Sequence, residues 1–387
     1  MLISTVLTMN GFRARNRENR IAYLSSLNHR ISAKSMIRSG IGADVFMVNV
    51  YNAWDNVIVT NYSGNSTLLK GFAQWQYRFG SGFTFTPGVY GQYYTLSGDY
   101  SVEPRLGLRW ELSPATSFSV GGGLHSQLQP RLAQMFADNG VLPNENMEMS
   151  KSWQNVVGFN QKLGDGMRLK TEVYYQHLYN IPVIPAVPAQ SIVNLGDDFF
   201  TLWDFAFVNE GTGRNYGVEM TLEKFFARQY YFLLTASLFD SKYKGFDGIE
   251  RRTRFAGNYA FNGLFGYEWK VGRRSLLSVN TKASFVGGKR YIPTSWDVIG
   301  DGNIGDLMPQ FDYSLAYVNR LPDYFRWDVN MNVKTNYQRF SLEWVIEVNN
   351  LTNHKNVLGK NYDVQRERYE YFYQYGFMPA GGVKVYF

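Results

Sequence analysis

The sequence contains no cysteine among its 387 residues, so disulfides, thiolate metal sites and cysteine nucleophiles are excluded. It also carries little charge, because Asp, Glu, Lys and Arg together make up only 18% of the chain. A soluble enzyme usually has more charge on its surface. Finally, no stretch approaches the roughly 18 apolar residues that a membrane-spanning helix requires, which excludes helical spanning.

Aromatic residues are abundant, with 28 Tyr, 28 Phe and 9 Trp making up 17% of the chain. The mean hydropathy is nevertheless mildly negative, at -0.29. A membrane β-barrel combines these properties, because only every second residue of each strand meets lipid.

The formal net charge of +7 first suggests nucleic acid as a partner. The Lys and Arg residues are, however, spread over the whole chain, with only short clusters such as Arg251-Arg252 and Arg273-Arg274. A hydrated interior or contact with anionic lipid headgroups therefore accounts for the charge better. The four histidines lack metal-ligand spacing, and no catalytic set is present, so we expect neither a metal, a cofactor nor an enzyme.

Strict alternation of apolar and polar residues predicts β-strands along the chain. In 325–334, for example, Phe, Trp, Val, Met and Val share one face, while Arg, Asp, Asn, Asn and Lys share the other. Many such segments run to about 10–15 residues, whereas strands of globular proteins centre on about 5–6. A tilted membrane-spanning strand needs about 9–11 residues.

This pattern predicts about sixteen strands whose links alternate between tight turns and longer loops. The strands are 2–9, 21–31, 36–52, 66–79, 83–96, 100–112, 116–128, 150–163, 166–180, 213–227, 229–242, 256–271, 275–287, 322–336, 339–350 and 380–387. The links between these turns are 10–20, 53–65, the short 97–99, 129–149, 181–212, 243–255, 288–321 and 351–379. Bacterial barrels have short periplasmic turns and longer extracellular loops. The predicted fold is therefore all-β, a transmembrane antiparallel up-and-down β-barrel.

The orientation follows from the carboxyl-terminal segment 382–387, which alternates and ends on Phe387. Such an ending resembles the assembly signal of bacterial outer-membrane proteins, which lies on the periplasmic side. We therefore expect the outer membrane of a Gram-negative bacterium, with a periplasmic carboxyl terminus and extracellular long loops.

Several stretches resemble the barrels of TonB-dependent receptors of the Bacteroidetes, in the group that often begins with a carboxypeptidase-like regulatory domain. The stretches are Glu103-Pro-Arg-Leu-Gly-Leu-Arg-Trp110, Tyr174-Tyr-Gln-His-Leu-Tyr-Asn-Ile-Pro-Val183, Val208-Asn-Glu-Gly-Thr-Gly-Arg-Asn-Tyr-Gly-Val-Glu219 and Glu347-Val-Asn-Asn-Leu-Thr-Asn353. The resemblance covers essentially the whole chain.

This resemblance implies a receptor for energised uptake of a scarce nutrient: a siderophore, metal chelate, vitamin, glycan or peptide. Its partners would be outer-membrane lipid, a plug domain, the TonB complex and the small-molecule ligand. Family barrels have twenty-two strands, so residues 1–387 are expected to form a single partial barrel domain. We expect the signal peptide, TonB box and plug domain of the family to be absent from these 387 residues.

Two groups of residues are candidate ligand contacts. His125, Gln127 and Gln129 form a predicted interior row near the extracellular mouth. Asn209, Glu210, Arg214 and Asn215 enter a strand from the long loop 181–212, which also carries aromatic residues at 199, 200, 203, 205 and 207. The alternatives are a polar interior that touches the plug for the first group, and hydrogen bonds that anchor the loop for the second.

Two other classes of function remain open. A plugless porin-like channel would conduct solutes passively through the polar interior. An adhesin or structural barrel would bind partners through its loops without uptake.

Overall fold

A computed structural model describes residues 2–9, 12–54, 57–136, 141–195, 205–298, 307–363, 366 and 368–387. The described chain is almost entirely β-structure, with one α-helix, α1 (Arg131–Gln134), and two 3-10 helices, Ile192–Asn194 and Tyr313–Leu315. No helix in this part of the chain is long and apolar enough to cross a membrane.

The strands follow one another along the chain as a series of hairpins. They are β1 (Leu2–Met9), β2 (Phe12–Arg30), β3 (Ser35–Trp54), β4 (Val57–Phe79), β5 (Phe83–Tyr94), β6 (Tyr100–Glu111), β7 (Thr116–Gln127), β8 (Ser150–Gly164), β9 (Met167–Val183), β10 (Val208–Ala227), β11 (Tyr230–Lys244), β12 (Glu250–Arg252), β13 (Tyr259–Val271), β14 (Ser275–Val286), β15 (Arg290–Tyr291), β16 (Thr294–Val298), β17 (Leu307–Phe311), β18 (Asn319–Arg320), β19 (Tyr324–Asn336), β20 (Ser341–Asn349), β21 (Val357–Asp363), β22 (Arg368–Tyr373) and β23 (Met378–Tyr386). Seventeen of them belong to one sheet, and the three-residue β12 is the shortest of these. The sixteen longer strands confirm the predicted all-β fold and the predicted number of strands. The remaining six form the small pairs β15–β18, β16–β17 and β21–β22 within long links.

Contacts divide the chain into two compact units. The first contains Met1–Val157, Tyr174–Asn215 and Lys242–Glu250, and the second contains Gly158–Val173, Tyr216–Ser241 and Arg251–Phe387. Within the first unit, each strand from β1 to β7 pairs antiparallel with the next. Within the second unit, the antiparallel pairs are β11–β13, β13–β14, β14–β19, β19–β20 and β20–β23.

In the first unit, the register places apolar residues opposite apolar residues on one face of the sheet. Phe83 pairs with Trp110, which pairs with Phe118, and Leu108 pairs with Val120. The ring centroids lie 5.5 Å apart for Phe83 and Trp110 and 6.2 Å apart for Trp110 and Phe118. Leu108, Val120 and Trp110 remain exposed in this row. A continuous exposed apolar surface is typical of contact with a membrane, and aromatic residues typically mark its interface.

In the second unit, the alternation predicted for 325–334 is confirmed by the pairing of β14 with β19. Phe325 lies opposite Phe285 on the apolar face. On the polar face, Asn330 lies opposite Asn280, and the amide nitrogen of Asn280 donates to the side-chain oxygen of Asn330 at 3.4 Å. The polar face therefore satisfies part of its hydrogen bonding by side-chain pairs between strands.

From β7 onward, the links between the strands of the large sheet alternate in length as predicted. The tight turns span 31–34, 80–82, 112–115, 165–166, 228–229, 272–274 and 337–340. The other links include 128–149, 184–207, 245–258, 287–323 and 350–377. In an antiparallel meander, successive links leave a sheet at opposite ends, so the short turns share one end and the long links the other.

Two of the predicted long loops are wrong, because the strands continue through them. Strand β2 begins at Phe12, so 12–20 is strand and not loop, and β3 and β4 together extend through most of 53–65. The sequence of 12–20 is polar on both faces, and the strand is held there by main-chain pairing with β3, from Phe12↔Trp54 onward. Alternation of apolar and polar residues cannot detect a strand that has mostly polar residues on both faces.

The largest buried cluster of the first unit lies where the link 128–149 covers the ends of β3 to β5. Its members are Phe46, Val48, Val50, Leu68, Tyr94, Met135 and Met149. The guanidinium of Arg131, at the start of α1, pairs with Glu18 and lies 4.4 Å from the centroid of the Phe46 ring. The described parts of the link, on both sides of 137–140, thus pack against these strands.

Candidate ligand-binding site

A recess of about 570 Å³ opens on the polar face of the first unit. The polar and aromatic side chains along it come from the seven strands β3 to β9, and they include Arg38, Tyr90, Arg105, His125 and Gln176. Since opposed residues of antiparallel strands share a face, the pairing of Tyr90 with Glu103 and of Phe72 with Tyr90 places these side chains on one surface.

A buried carboxylate fixes the position of Arg105. Glu103 is 0% exposed, and its Oε2 accepts a hydrogen bond of 2.5 Å from Arg105 Nη2. Its Oε1 accepts from the Gln92 amide nitrogen at 3.2 Å and from the Ser126 main-chain amide at 3.1 Å. A buried charge is tolerated when it is paired and hydrogen-bonded in this way. The carboxylate therefore orients the Arg105 guanidinium, which stacks 4.9 Å from the Tyr90 ring centroid.

A second guanidinium belongs to Arg38, and its central carbon, Cζ, lies 5.8 Å from the centroid of the Phe72 ring. Among the described residues, no carboxylate forms an ion pair with Arg38. The two guanidinium groups and the single Glu103 carboxylate leave the recess with one net positive charge. Guanidinium groups held against aromatic rings present planar, bidentate donors, which suit carboxylate and other oxyanion ligands.

The structure places the three residues of the first candidate group, His125, Gln127 and Gln129, in different environments. His125 lines the recess beside Arg105. Gln127 is the last residue of β7 and is exposed. Gln129 lies beyond the strand and is buried, and its amide nitrogen donates to Glu148 O at 2.7 Å and to Ser150 Oγ at 2.9 Å. Gln129 thus anchors the link 128–149 and does not continue a row with His125.

Asn209, from the second group, makes hydrogen bonds that tie the link 128–149 and strand β9 to β10. Its side-chain oxygen accepts from the Glu148 amide at 3.0 Å. Its side-chain nitrogen donates to Glu148 O at 3.1 Å and to Asn180 O at 2.9 Å. Glu210, its neighbour in β10, is exposed to solvent.

Arg214 and Asn215 point to opposite faces of β10, as successive residues of a strand must. Asn215 donates to Gln176 Oε1 at 3.1 Å and so borders the recess that contains His125. Arg214 pairs with Glu250 at 2.7 Å and lines a separate recess on the other face. Of the predicted residues, the structure therefore brings only His125 and Asn215 to the polar recess.

Sequence reasoning missed Arg38, Tyr90 and Gln176 as members of this recess. The two-residue spacing of Glu103 and Arg105 is the sign in the sequence that could have indicated their ion pair. Three members of the predicted aromatic set, Phe199, Phe200 and Trp203, lie outside the described residues. In the described part of the chain, no group of three His, Asp or Glu side chains is arranged to hold a metal ion.

The long strands, the exposed apolar face with its aromatic rows and the alternation of short and long links define an outer-membrane β-barrel protein. A family model described as the TonB dependent receptor-like β-barrel matches residues 6–351. The chain therefore belongs to the TonB-dependent receptor β-barrel family, a non-enzymatic family of the Gram-negative outer membrane.

Solved structures of the same fold cover nearly the whole chain. The ferric yersiniabactin uptake receptor FyuA from Yersinia pestis matches with a TM-score of 0.66 and 12% identity, over 99% of this chain and 56% of its own. The ferric citrate transporter FecA matches with a TM-score of 0.60 and 12% identity, over 100% of this chain and 57% of its own. The siderophore receptor PirA from Pseudomonas aeruginosa matches with a TM-score of 0.58 and 11% identity, over 99% of this chain and 58% of its own.

The chain thus spans a little more than half the length of these structures. At such low identity the likeness establishes the fold. Comparison with curated proteins gives no match.

Proposed function

We propose that this chain forms the barrel wall of a receptor that takes up an anionic metal chelate across the outer membrane in a TonB-coupled step. The observation that carries the proposal is the recess with Arg38 and Arg105 beside Tyr90 and His125. In a barrel of this family the polar face lines the interior, so the recess would open onto the path of a ligand. The net positive charge favours anionic ligands over neutral vitamins or glycans.

The names of the solved relatives support a metal chelate as the ligand, since FyuA, FecA and PirA are named for ferric yersiniabactin, ferric citrate and siderophores. The partners proposed for this chain are a plug domain and the TonB complex, with the long links outside the cell and the carboxyl terminus in the periplasm. The proposed architecture is a twenty-two-stranded barrel to which this chain contributes one partial barrel domain. We also propose membership of the Bacteroidetes group, on the resemblance of the stretches 103–110 and 208–219.

The central test is the substitution Arg105→Gln in the complete receptor, expressed in cells that lack other iron receptors. We expect weaker binding and slower uptake of radiolabelled ferric chelate, by about ten- to a hundredfold in Kd, since a hydrogen bond to a charged group contributes about 1.5–3 kcal/mol. The matched control is Arg109→Gln, on the same strand and face. Arg109 is exposed, and its Nε lies 3.3 Å from the Glu111 carboxylate. Equal effects of both substitutions, or no effect of Arg105→Gln, would contradict the proposed site.

The mode of transport is tested separately with a protonophore or a TonB deletion. Uptake by a TonB-coupled receptor stops under either condition, whereas diffusion through a porin-like channel continues. Single-channel conductance of the purified protein in planar bilayers would favour the passive channel. A barrel with neither uptake nor conductance would instead favour an adhesin or structural role.

A further inference from the structure

One face of β2, in the first unit, carries three arginines at alternate positions near the amino-terminal end of the strand. Arg13, Arg15 and Arg17 are all exposed, whereas Ala14 between them is buried. Successive residues of a strand point to opposite faces, so the three side chains follow one another at intervals of about 6.6–6.8 Å. Residues 13, 15 and 17 therefore form an arginine row that presents three like charges on one surface.

The arginine row continues an exposed apolar row and lies beyond it. Ile21 and Tyr23 follow on the same face of β2 and are exposed. A spanning strand needs about 9–11 residues, and 21–30, which end at the short turn 31–34, supply that length. Arg13 lies about 26 Å along the strand beyond Ile21, and a tilt of about 45° leaves it roughly 18 Å beyond the level of Ile21. Since a headgroup layer is only about 5–8 Å thick, the row extends past the lipid headgroups.

In the described strands beside it, every residue opposite the arginine row is uncharged. These residues are Ala53, Tyr51 and Asn49 on β3, Thr8, Val6 and Ser4 on β1 and, one strand further, Asn61 and Ser63 on β4. Glu18, the acidic residue of β2 next to the row, lies on the other face and pairs with Arg131. Among the described residues, no carboxylate forms an ion pair with the arginine row.

The arginine row differs in this respect from the next arginine of the same strand. Arg20 belongs to the other face, and its Nη2 lies 3.0 Å from the Asp44 carboxylate. Like charges that follow one another along a face repel, and the described chain offers the row no counter-charge. Arginine presents planar, bidentate donors that suit carboxylates. The row therefore favours an external ligand that brings several carboxylates at the same spacing.

We propose that the arginine row binds an extended acidic segment of another extracellular protein. An extended peptide places every second side chain on one face at the same interval of about 6.6–6.8 Å. Asp or Glu at alternate positions would therefore meet the three guanidinium groups in register. Complementary charge gives such a contact specificity and a fast association rate. The inference rests on the proposed orientation, with the long links outside the cell, and is independent of the nutrient that the receptor takes up.

The test is equilibrium binding of two fluorescent peptides to the full receptor in detergent, measured by anisotropy at low ionic strength. One peptide alternates Glu with Thr, and the other has the same composition but carries its Glu residues in one block. We expect the alternating peptide to bind more tightly, since only its carboxylates match the row. Arg15→Gln should weaken its binding by about two- to fivefold, the range of one exposed ion pair. The matched control, Lys34→Gln, removes one exposed charge from the short turn 31–34 and should leave binding unchanged.

Equal binding by the wild type, Arg15→Gln and Lys34→Gln would overturn the site. Equal binding of the alternating and block peptides would overturn the match in spacing. A polyuronate that displaces the alternating peptide at the same concentration of carboxylate would overturn the assignment to a protein segment, since charge alone would then suffice. Preference for the alternating peptide in a receptor that takes up no chelate would support this proposal and contradict only the proposed function.

Discussion

Asn209 illustrates how a single polar residue can resemble a ligand contact and yet hold the fold together. It enters β10 from a long link, where a ligand contact is expected, but its side chain bonds Glu148 and Asn180. Glu103 has the complementary role, since it is fully buried and acts through Arg105. For a single polar residue, the capacity to bind a ligand depends on whether its side chain is already hydrogen-bonded within the protein.

We expect Asn209→Ala to loosen the link 128–149, because it leaves the Glu148 amide and two carbonyl groups without these partners. Such losses cost about 1–3 kcal/mol per buried group, and proportionally less for exposed ones. Limited proteolysis of the folded protein should then cleave within 128–149 faster than in the wild type. Asn215→Ala, which removes one side-chain bond to Gln176, is the control and should leave this cleavage unchanged. A chelate affinity that falls for Asn209→Ala without faster cleavage would instead indicate direct ligand contact.

A second residue, Asp323, should make the link 287–323 sensitive to acid. Burial by itself raises the pKa of Asp323, but the Tyr259 hydroxyl at 2.5 Å and the Gly288 amide at 3.1 Å donate to its carboxylate and hold the pKa below its usual range. A carboxylate with a lowered pKa in the folded state stabilises that state above the unfolded pKa of about 3.9. The contribution is lost as the pH falls through the folded value.

Hydrogen-exchange protection factors, which remove the intrinsic effect of pH, would measure this sensitivity. We expect the protection of Gly288 and its neighbours to fall between about pH 5 and pH 3. Asp323→Asn should reduce that protection at pH 5 and abolish its further fall at lower pH. Protection that falls equally in both proteins would assign the acid sensitivity to another group.

The turns between strands depend on backbone conformation at particular positions. Gly272 begins the turn between β13 and β14 with a φ of 66°, and a Cβ there would meet nothing within 4 Å. Gly382, within β23, also has open space around a Cβ but has no positive φ. The two glycines therefore differ in conformation and not in packing.

We expect Gly272→Ala to lower the free energy of unfolding by about 1 kcal/mol, because the left-handed region is strained for residues with a Cβ. Gly382→Ala should leave it unchanged or raise it slightly, since alanine restricts the unfolded chain. Urea unfolding of the protein refolded into lipid vesicles measures both values. Equal midpoints for the two variants would show that the turn tolerates alanine.

The strands with one apolar face could be predicted closely from the sequence, and segments with mostly polar residues on both faces could not. The prediction of 275–287 for β14 differs by one residue from Ser275–Val286, because each apolar residue of that strand has a polar neighbour. The amino-terminal end of β2 carries no such signal, and its pairing with β3 is a property of two segments together. Dependence on strand pairing also explains why the candidate site could be predicted only in part. His125 stood out by its type, whereas its association with Arg38 depends on register, and a slip of one residue would turn either side chain to the other face.

At the scale of the whole molecule, the two faces of the strands carry different chemistry. The polar face contains the recess proposed for an anionic chelate, and the other face presents exposed apolar residues such as Leu108 and Val120. The recess is lined by residues from strands that are distant in sequence and become neighbours through the hairpin order. The wall therefore supplies a site that neither an isolated loop nor an isolated strand could form.

The alternation of short turns and long links also constrains how genes for such walls can change in length. An in-frame deletion or duplication that runs from one short turn to another removes or adds two strands at once. Every later link then keeps its original side of the membrane. A change of one strand would invert the rest of the chain and carry its extracellular segments into the periplasm. We therefore expect related barrels to gain or lose strands as whole hairpins. Their long extracellular links can diverge in sequence and length.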